Sequence, residues 1–140
     1  MARQTFVITD LVSEQNVPLG LDLPMNTSRG ANFQMNYTSL KQARANLLNL
    51  LLTSKGERVM QPTFGCDLDK IVMEPLTDFL LDTVQTTIES AINTWLPYLT
   101  IQELDVYRPD GKPNTLGISL TFSLLNNTIE TESIELQITQ

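Results

Sequence analysis

Histidine is absent from the 140 residues, and cysteine occurs once, as Cys66. Without histidine, Ser-His-Asp and Cys-His nucleophile systems and most zinc sites are excluded, because each needs imidazole as base or ligand. A lone cysteine cannot close an internal disulfide. No sequence feature near Cys66 lowers its pKa, so it reads as a small buried apolar residue and not as a reactive thiol. No apolar run approaches the ~20 residues that span a bilayer, so no membrane contact is expected. The opening MARQTFVITD carries one Arg and no apolar stretch behind it, which gives no support for a secretory signal. Asn26-Thr27-Ser28 fits the glycosylation pattern but means little without export. The expected setting is a cytoplasm.

Basic residues are also scarce in one half. Residues 1–70 hold seven basic and six acidic residues, whereas residues 71–140 hold two and ten, within an overall charge of −7. A phosphate backbone would repel the second half, and no basic patch with interleaved aromatics exists, so no nucleic-acid partner is expected. The acids keep a small domain soluble, or they form a face that meets a basic partner. With 41% hydrophobic residues in a chain of this length, one compact core is the expectation.

Residues 1–36 are polar and rich in turn formers, among them Pro18, Gly20, Pro24, Asn26 and Gly30. Apart from a Phe6-Val7-Ile8 run that could pair as a strand, this stretch reads as an irregular arm, followed by a single domain over 37–140. The first firm helix begins at Thr38 or Ser39 and runs to about Thr53. Leu40, Ala43, Leu47, Leu50 and Leu51 form its stripe, and Leu48 and Leu52 widen it. Lys55 suits the negative helix end and Gly56 the C′ position. A second helix opens at Thr77 or Asp78 and carries Leu80, Val84, Ile88, Ala91, Ile92 and Trp95 before Pro97 stops it.

From Tyr98 the hydrophobic period becomes two. Ile101–Tyr107 reads as a strand, residues 109–113 as a turn, and Leu116–Leu125 as a strand with alternating Ile118, Leu120, Phe122 and Leu124. After an Asn126-Asn127 turn, Ile134, Leu136 and Ile138 alternate with polar residues. The fold class is therefore α+β, with two main helices packed on an antiparallel sheet of three or more strands. The last strand is expected at a sheet edge, where unpaired N–H and C=O groups can accept a strand from another chain. Glu130, Glu132 and Glu135 could equally protect that edge.

Between the helices lies TSKGERVMQPTFGCDLDKIVMEP, from Thr53 to Pro75, too irregular for a core and too apolar for a linker. The best enzymatic case takes two carboxylates from Glu57, Asp67, Asp69 and Glu74, as in glycoside hydrolysis. One of them would need burial to raise its pKa, yet Glu57 stands beside Arg58 and Asp67 suits the cap of a short helix holding Ile71 and Val72. Asp67-Leu68-Asp69 opens like a calcium loop but lacks the later acids and the glycine, and the glycines form no phosphate cradle. No catalytic, cofactor or metal site is expected, and the chemistry points to a binding or structural domain.

The run from Leu47 through Ile101 resembles the contractile-tail baseplate wedge family that initiates the phage sheath, with relatives in tailocins and type VI secretion baseplates. The resemblance is carried by Leu50-Leu51-Leu52-Thr53, by Gly56-Glu57-Arg58 after Lys55, by Pro62, Phe64-Gly65-Cys66-Asp67-Leu68 and Met73-Glu74-Pro75, and by Ile88-Glu89-Ser90-Ala91-Ile92. The Phe64–Leu68 step is similar to the T-even phage member. It covers roughly residues 38–138, more loosely after 101. Where the family has Glu-Pro-Arg docking onto a wedge helical bundle, this chain has Leu96-Pro97-Tyr98, so the ion-paired contact does not carry over: either an apolar contact through Leu96 and Tyr98 replaces it, or the partner surface differs, or these two residues close this protein's own core.

The resemblance implies a structural part without enzymatic activity, present in many copies around the tail tube. Its implied partners are other wedge proteins and the first ring of sheath subunits, with tail tube or hub as a further neighbour. Sheath growth would be templated by strand addition, with Ile134, Leu136 and Ile138 selecting the partner. The implied location is the virion tail, with assembly in the host cytoplasm. Alternatives from the residues alone are a peptidoglycan glycosidase using Glu57 or Glu74 with Asp67, and a soluble adaptor unrelated to tails. The same adaptor role in a tailocin or type VI secretion machine is a variant of the main reading.

Overall fold

The computed structural model describes residues 17–25, 34–72, 77–109 and 115–139. Three helices lie on one face of a three-stranded antiparallel sheet, giving the α+β arrangement read from the element order.

Helix α1, Ser39–Leu51, is capped by Thr38, whose hydroxyl accepts from the Lys41 N–H. Ala43, Leu47, Leu48, Leu50 and Leu51 are buried, and Leu40 packs half-buried against them. Leu52 departs from the expected stripe. It is the C-cap, at ψ −2°, so the helical repeat has ended and its side chain points to solvent. Gly56 also differs from expectation: the helix ends at Leu51, with Leu52 as its C-cap, and the positive φ of Gly56 serves the loop that follows.

Helix α2 is the single turn Leu68–Val72, and α3 spans Asp78–Trp95 with Thr77 as its N-cap, accepting from the Leu80 N–H. Leu80, Val84, Ile88, Ala91 and Ile92 are buried as one stripe, because residues three and four apart share a helix face. Four threonines on α3 (Thr83, Thr86, Thr87 and Thr94) return their hydroxyls to carbonyls one turn back.

The sheet is a meander in the order β3 (Leu99–Tyr107), β4 (Thr115–Leu124), β5 (Asn127–Thr139). Its register aligns Ile101 with Phe122, Leu104 with Leu120 and Ile134, and Val106 with Ile118 and Leu136. These residues form one inner face against the helices, with Leu116, Ile118, Leu120, Phe122 and Ile134 fully buried. The opposite face carries Glu103, Asp105, Ser119, Thr121, Ser133 and Glu135, so it is largely polar. A bulge at Gln102 shifts the register between Ile101 and Glu103, and Gln102 donates to Ser123 Oγ at 2.9 Å.

The described part of the N-terminal stretch includes one short strand pairing. β1 (Gly20–Leu21) pairs antiparallel with β2 (Met35–Asn36). Asn36 is buried beside α1, and its amide donates to Leu21 O at 3.1 Å and to Gln42 Oε1 at 3.2 Å. The Phe6–Ile8 run lies outside the described residues.

Candidate functional site

Between α1 and α2 the chain folds back on the end of α1. Thr53 donates its hydroxyl to the Asn49 carbonyl at 2.5 Å, while its own carbonyl accepts from the Cys66 N–H at 2.9 Å. Gly65, at φ +117°, sits against that carbonyl: a Cβ there would lie 2.2 Å from Thr53 O, so only glycine fits. Gly56, at φ +90°, needs glycine for its backbone angle alone, since nothing surrounds the missing Cβ. The Gly56 N–H donates to Pro62 O at 2.8 Å, closing a loop, and Gln61 N–H donates to Arg58 O at 3.2 Å across its tip.

The charged side chains of this junction staple backbone. Glu57 accepts from the Ser54 N–H at 3.1 Å. Asp67 accepts from the Lys55 N–H at 3.1 Å and from Lys70 Nζ at the same distance. The Arg58 guanidinium lies 4.0 Å from the centre of the Phe64 ring, which meets Trp95 edge-on at 5.2 Å. Gly56, Glu57, Arg58, Pro62, Phe64 and Gly65 are thus brought into one compact junction, whereas Glu74 and Pro75 lie outside the described residues. Trp95 and Asp67 complete it. The single Trp in the sequence is the signal that marks the first, and the acid beside Cys66 marks the second.

Of the candidate acids, Asp67 and Glu57 lie among the described side chains, and neither is set up as a general acid. Partial desolvation pulls the Asp67 pKa upward, but the Lys70 hydrogen bond, the Lys55 N–H and the two ammonium charges outweigh it. Its carboxyl is held below the usual range, opposite to the shift a general acid needs. Glu57 is exposed and engaged with backbone. Burial pushes the Cys66 thiol up to about 11, against a smaller lowering by Lys55, so the thiol is neutral.

At the exit of α3 the three residues divide. Leu96 is 7% exposed and belongs to this domain's own core. Pro97 is exposed, and Tyr98 is 39% exposed with its hydroxyl accepting from Asn46 Nδ2 at 3.0 Å, which ties the exit to α1. The last strand divides similarly. Ile134 is 2% exposed, and Leu136 and Ile138 pack half-buried against the same core. All three therefore point inward beneath β5, and among the described residues no strand lies beyond β5.

A sequence profile described as "Baseplate wedge protein gp25" matches residues 39–128, from the start of α1 into β5. Baseplate wedge protein gp25 of Enterobacteria phage T4 is 30% identical over 131 residues, covering 94% of this chain and 93% of the relative. The chain belongs to the baseplate wedge protein gp25 family. It is accordingly a structural component of a tail baseplate, as the junction motif implied.

Solved structures share the fold at lower identity. A putative tail lysozyme from Geobacter sulfurreducens superposes with a TM-score of 0.67 at 18% identity, over 76% of this chain and 95% of the other. A chain of the anti-feeding prophage baseplate gives 0.64 at 21%, over 77% and 86%. A chain of the type VI secretion system baseplate complex gives 0.53 at 14%, over 70% and 90%. These likenesses establish the architecture and nothing about activity.

Proposed function

We propose that this protein is the wedge component of a contractile tail that joins the wedge to the sheath and nucleates sheath polymerisation by strand addition. The observation that carries the reading is β5, a 13-residue strand at the sheet edge. An edge strand offers a row of backbone donors and acceptors to another chain, and its length sets the register of what joins it. Ile134, Leu136 and Ile138 would then act from below, as the apolar layer that an added strand's inward residues extend. The partners are neighbouring wedge proteins and the first ring of sheath subunits, with the tail tube or hub within reach. Copies in a symmetric ring make modest contacts collectively strong.

In this reading the domain over 37–140 is one rigid unit and the stretch 1–36 an arm beside it, in the virion tail after assembly in the host cytoplasm. Of the α3 exit, Pro97 and Tyr98 meet the wedge core, while Leu96 holds the exit from within. The junction of Gly56, Glu57, Arg58, Pro62, Phe64 and Gly65 fixes α1 against α3 so that both surfaces keep their relation. The same adaptor role in a tailocin or type VI secretion machine is the variant of this reading, and the presence or absence of capsid and terminase genes nearby separates the two settings.

The test mixes the purified protein with its cognate sheath subunit and wedge proteins and follows assembly by electron microscopy. Sheath rings that grow only in its presence are the expected result. On an antiparallel edge strand, consecutive N–H groups point alternately inward and outward. Of Leu136→Pro and Gln137→Pro, one therefore removes an outward donor, and that variant should fold yet fail to start sheath. Equal sheath growth without the protein overturns the reading.

A further inference from the structure

The junction loop ends in a tip that this domain's own core does not use. Val59 and Met60 stand side by side at a turn, both almost wholly exposed. A single exposed apolar residue needs no explanation, but an adjacent pair of them on a turn, where polar residues serve better, forms a patch.

The tip is held in place. The Gly56 N–H donates to Pro62 O and the Gln61 N–H to Arg58 O, closing the loop at its base and again beneath the tip. The Phe64 N–H donates to Gln61 O at 3.1 Å, and the Arg58 guanidinium covers the Phe64 ring, which leans on Trp95 of α3. An apolar knob fixed in advance loses little freedom on docking, so most of its burial is available as affinity.

Charge beside the tip is arranged as well. Glu57 is engaged with the Ser54 N–H, and Asp67 with the Lys55 N–H and the Lys70 ammonium. Lys55 is exposed, and its own ammonium makes no ion pair among the described residues. The tip is therefore apolar surface bordered by an available cation. Two side chains fall far short of the ~800 Å² per partner that a stable interface buries, so the tip acts as one anchor within a wider contact. Being convex, it needs a concave complement. A second copy of this chain offers no wholly apolar one, because the two clefts along α3 carry polar side chains among their apolar ones.

We infer that Val59 and Met60 insert as a knob into an apolar socket on another wedge protein, with a carboxylate on the socket's rim meeting Lys55. This inference rests on the wedge reading above and is independent of sheath docking at β5.

The experiment measures binding of the full chain to its purified cognate wedge proteins by biolayer interferometry. Val59→Ser/Met60→Ser should bind about a hundredfold more weakly, whereas Val59→Leu/Met60→Leu should stay within a few-fold of the parent. Lys55→Glu should weaken binding about fivefold. All three variants should melt with the parent, since the altered side chains are exposed. Phe79→Ser removes an exposed apolar side chain some ~24 Å along α3 from Trp95 and should leave binding unchanged. A parent protein that binds no wedge protein would overturn the wedge reading and this inference together. A parent that binds, with the serine double variant binding equally or Phe79→Ser weakening it as much, would overturn the inference alone. So would tip-dependent partition onto phosphatidylcholine vesicles without a loss of wedge binding in the serine variant, which would assign the knob to a lipid surface.

Discussion

The Tyr107 hydroxyl on β3 donates to Glu135 Oε1 on β5 at 2.7 Å, crossing the central strand above Gly117. A Cβ at Gly117 would sit 2.6 Å from the Tyr107 ring, so the glycine is the gap through which the ring reaches the far strand. One bond thereby links the two edge strands over the wet face of the sheet.

That bond has a pH signature. Its carboxylate acceptor and a small desolvation raise the Tyr107 pKa, with Asp105 adding repulsion. Because the folded value lies above the unfolded one, the contribution is complete below roughly pH 10 and is lost as pH rises through the raised value. Tyrosinate absorbance should show a late-titrating component that belongs to Tyr107. Glu135→Gln should move that component to lower pH. An unchanged profile in that variant would contradict the assignment.

The two positive-φ glycines of the junction should separate cleanly. Gly56→Ala meets only the backbone penalty of the left-handed region, about 1–2 kcal/mol. Gly65→Ala meets that penalty and a collision with Thr53 O, so urea unfolding should show a loss of more than about 3 kcal/mol, or no folded protein. Equal losses at the two positions would remove the account of the Thr53–Cys66 closure.

Cys66 should resist thiol reagents in the native protein and react only on unfolding, since it is buried and its thiol is pushed up to about 11. Reaction at neutral pH as fast as in denaturant would show that the junction opens freely.

Arg58→Ala should cost about 0.5–1 kcal/mol through the lost contact with the Phe64 ring and should alter Trp95 fluorescence by way of that ring. Arg58→Lys should restore little, because an ammonium lacks the flat guanidinium face. Emission identical to that of the parent protein in both variants would mean that the stack does not hold Trp95 in place.

The helices and the meander were legible because their apolar periods run unbroken: 3.6 through α3, two through β4. The errors fall where a single cap or bulge resets the count. Leu52 continues the α1 stripe on paper, but its backbone has already left the helix. Ile101 and Leu104 share the inner face at a spacing of three because Gln102 is an extra residue, a signal present in the sequence but unread. β1 and β2 contribute two residues each and are held by the Asn36 amide, too little pattern to detect. The junction was marked by its glycines and acids as a special turn, although the ring stack from Arg58 to Trp95 joins residues far apart in the chain.

The tip of the junction loop holds a further consequence. Val59 and Met60 are 93% and 91% exposed at the middle of a turn closed by the Arg58–Gln61 bond, where polar residues are the rule. The sheet carries the opposite kind of information. With the inward positions of β4 apolar and the outward ones largely polar, a strand that joined either edge one residue out of step would exchange its two faces, forcing hydroxyls and carboxylates under the sheet. The sheet is thus a proofreader: it rejects misaligned arrivals by the cost of a wrong face, before any side-chain pair is compared.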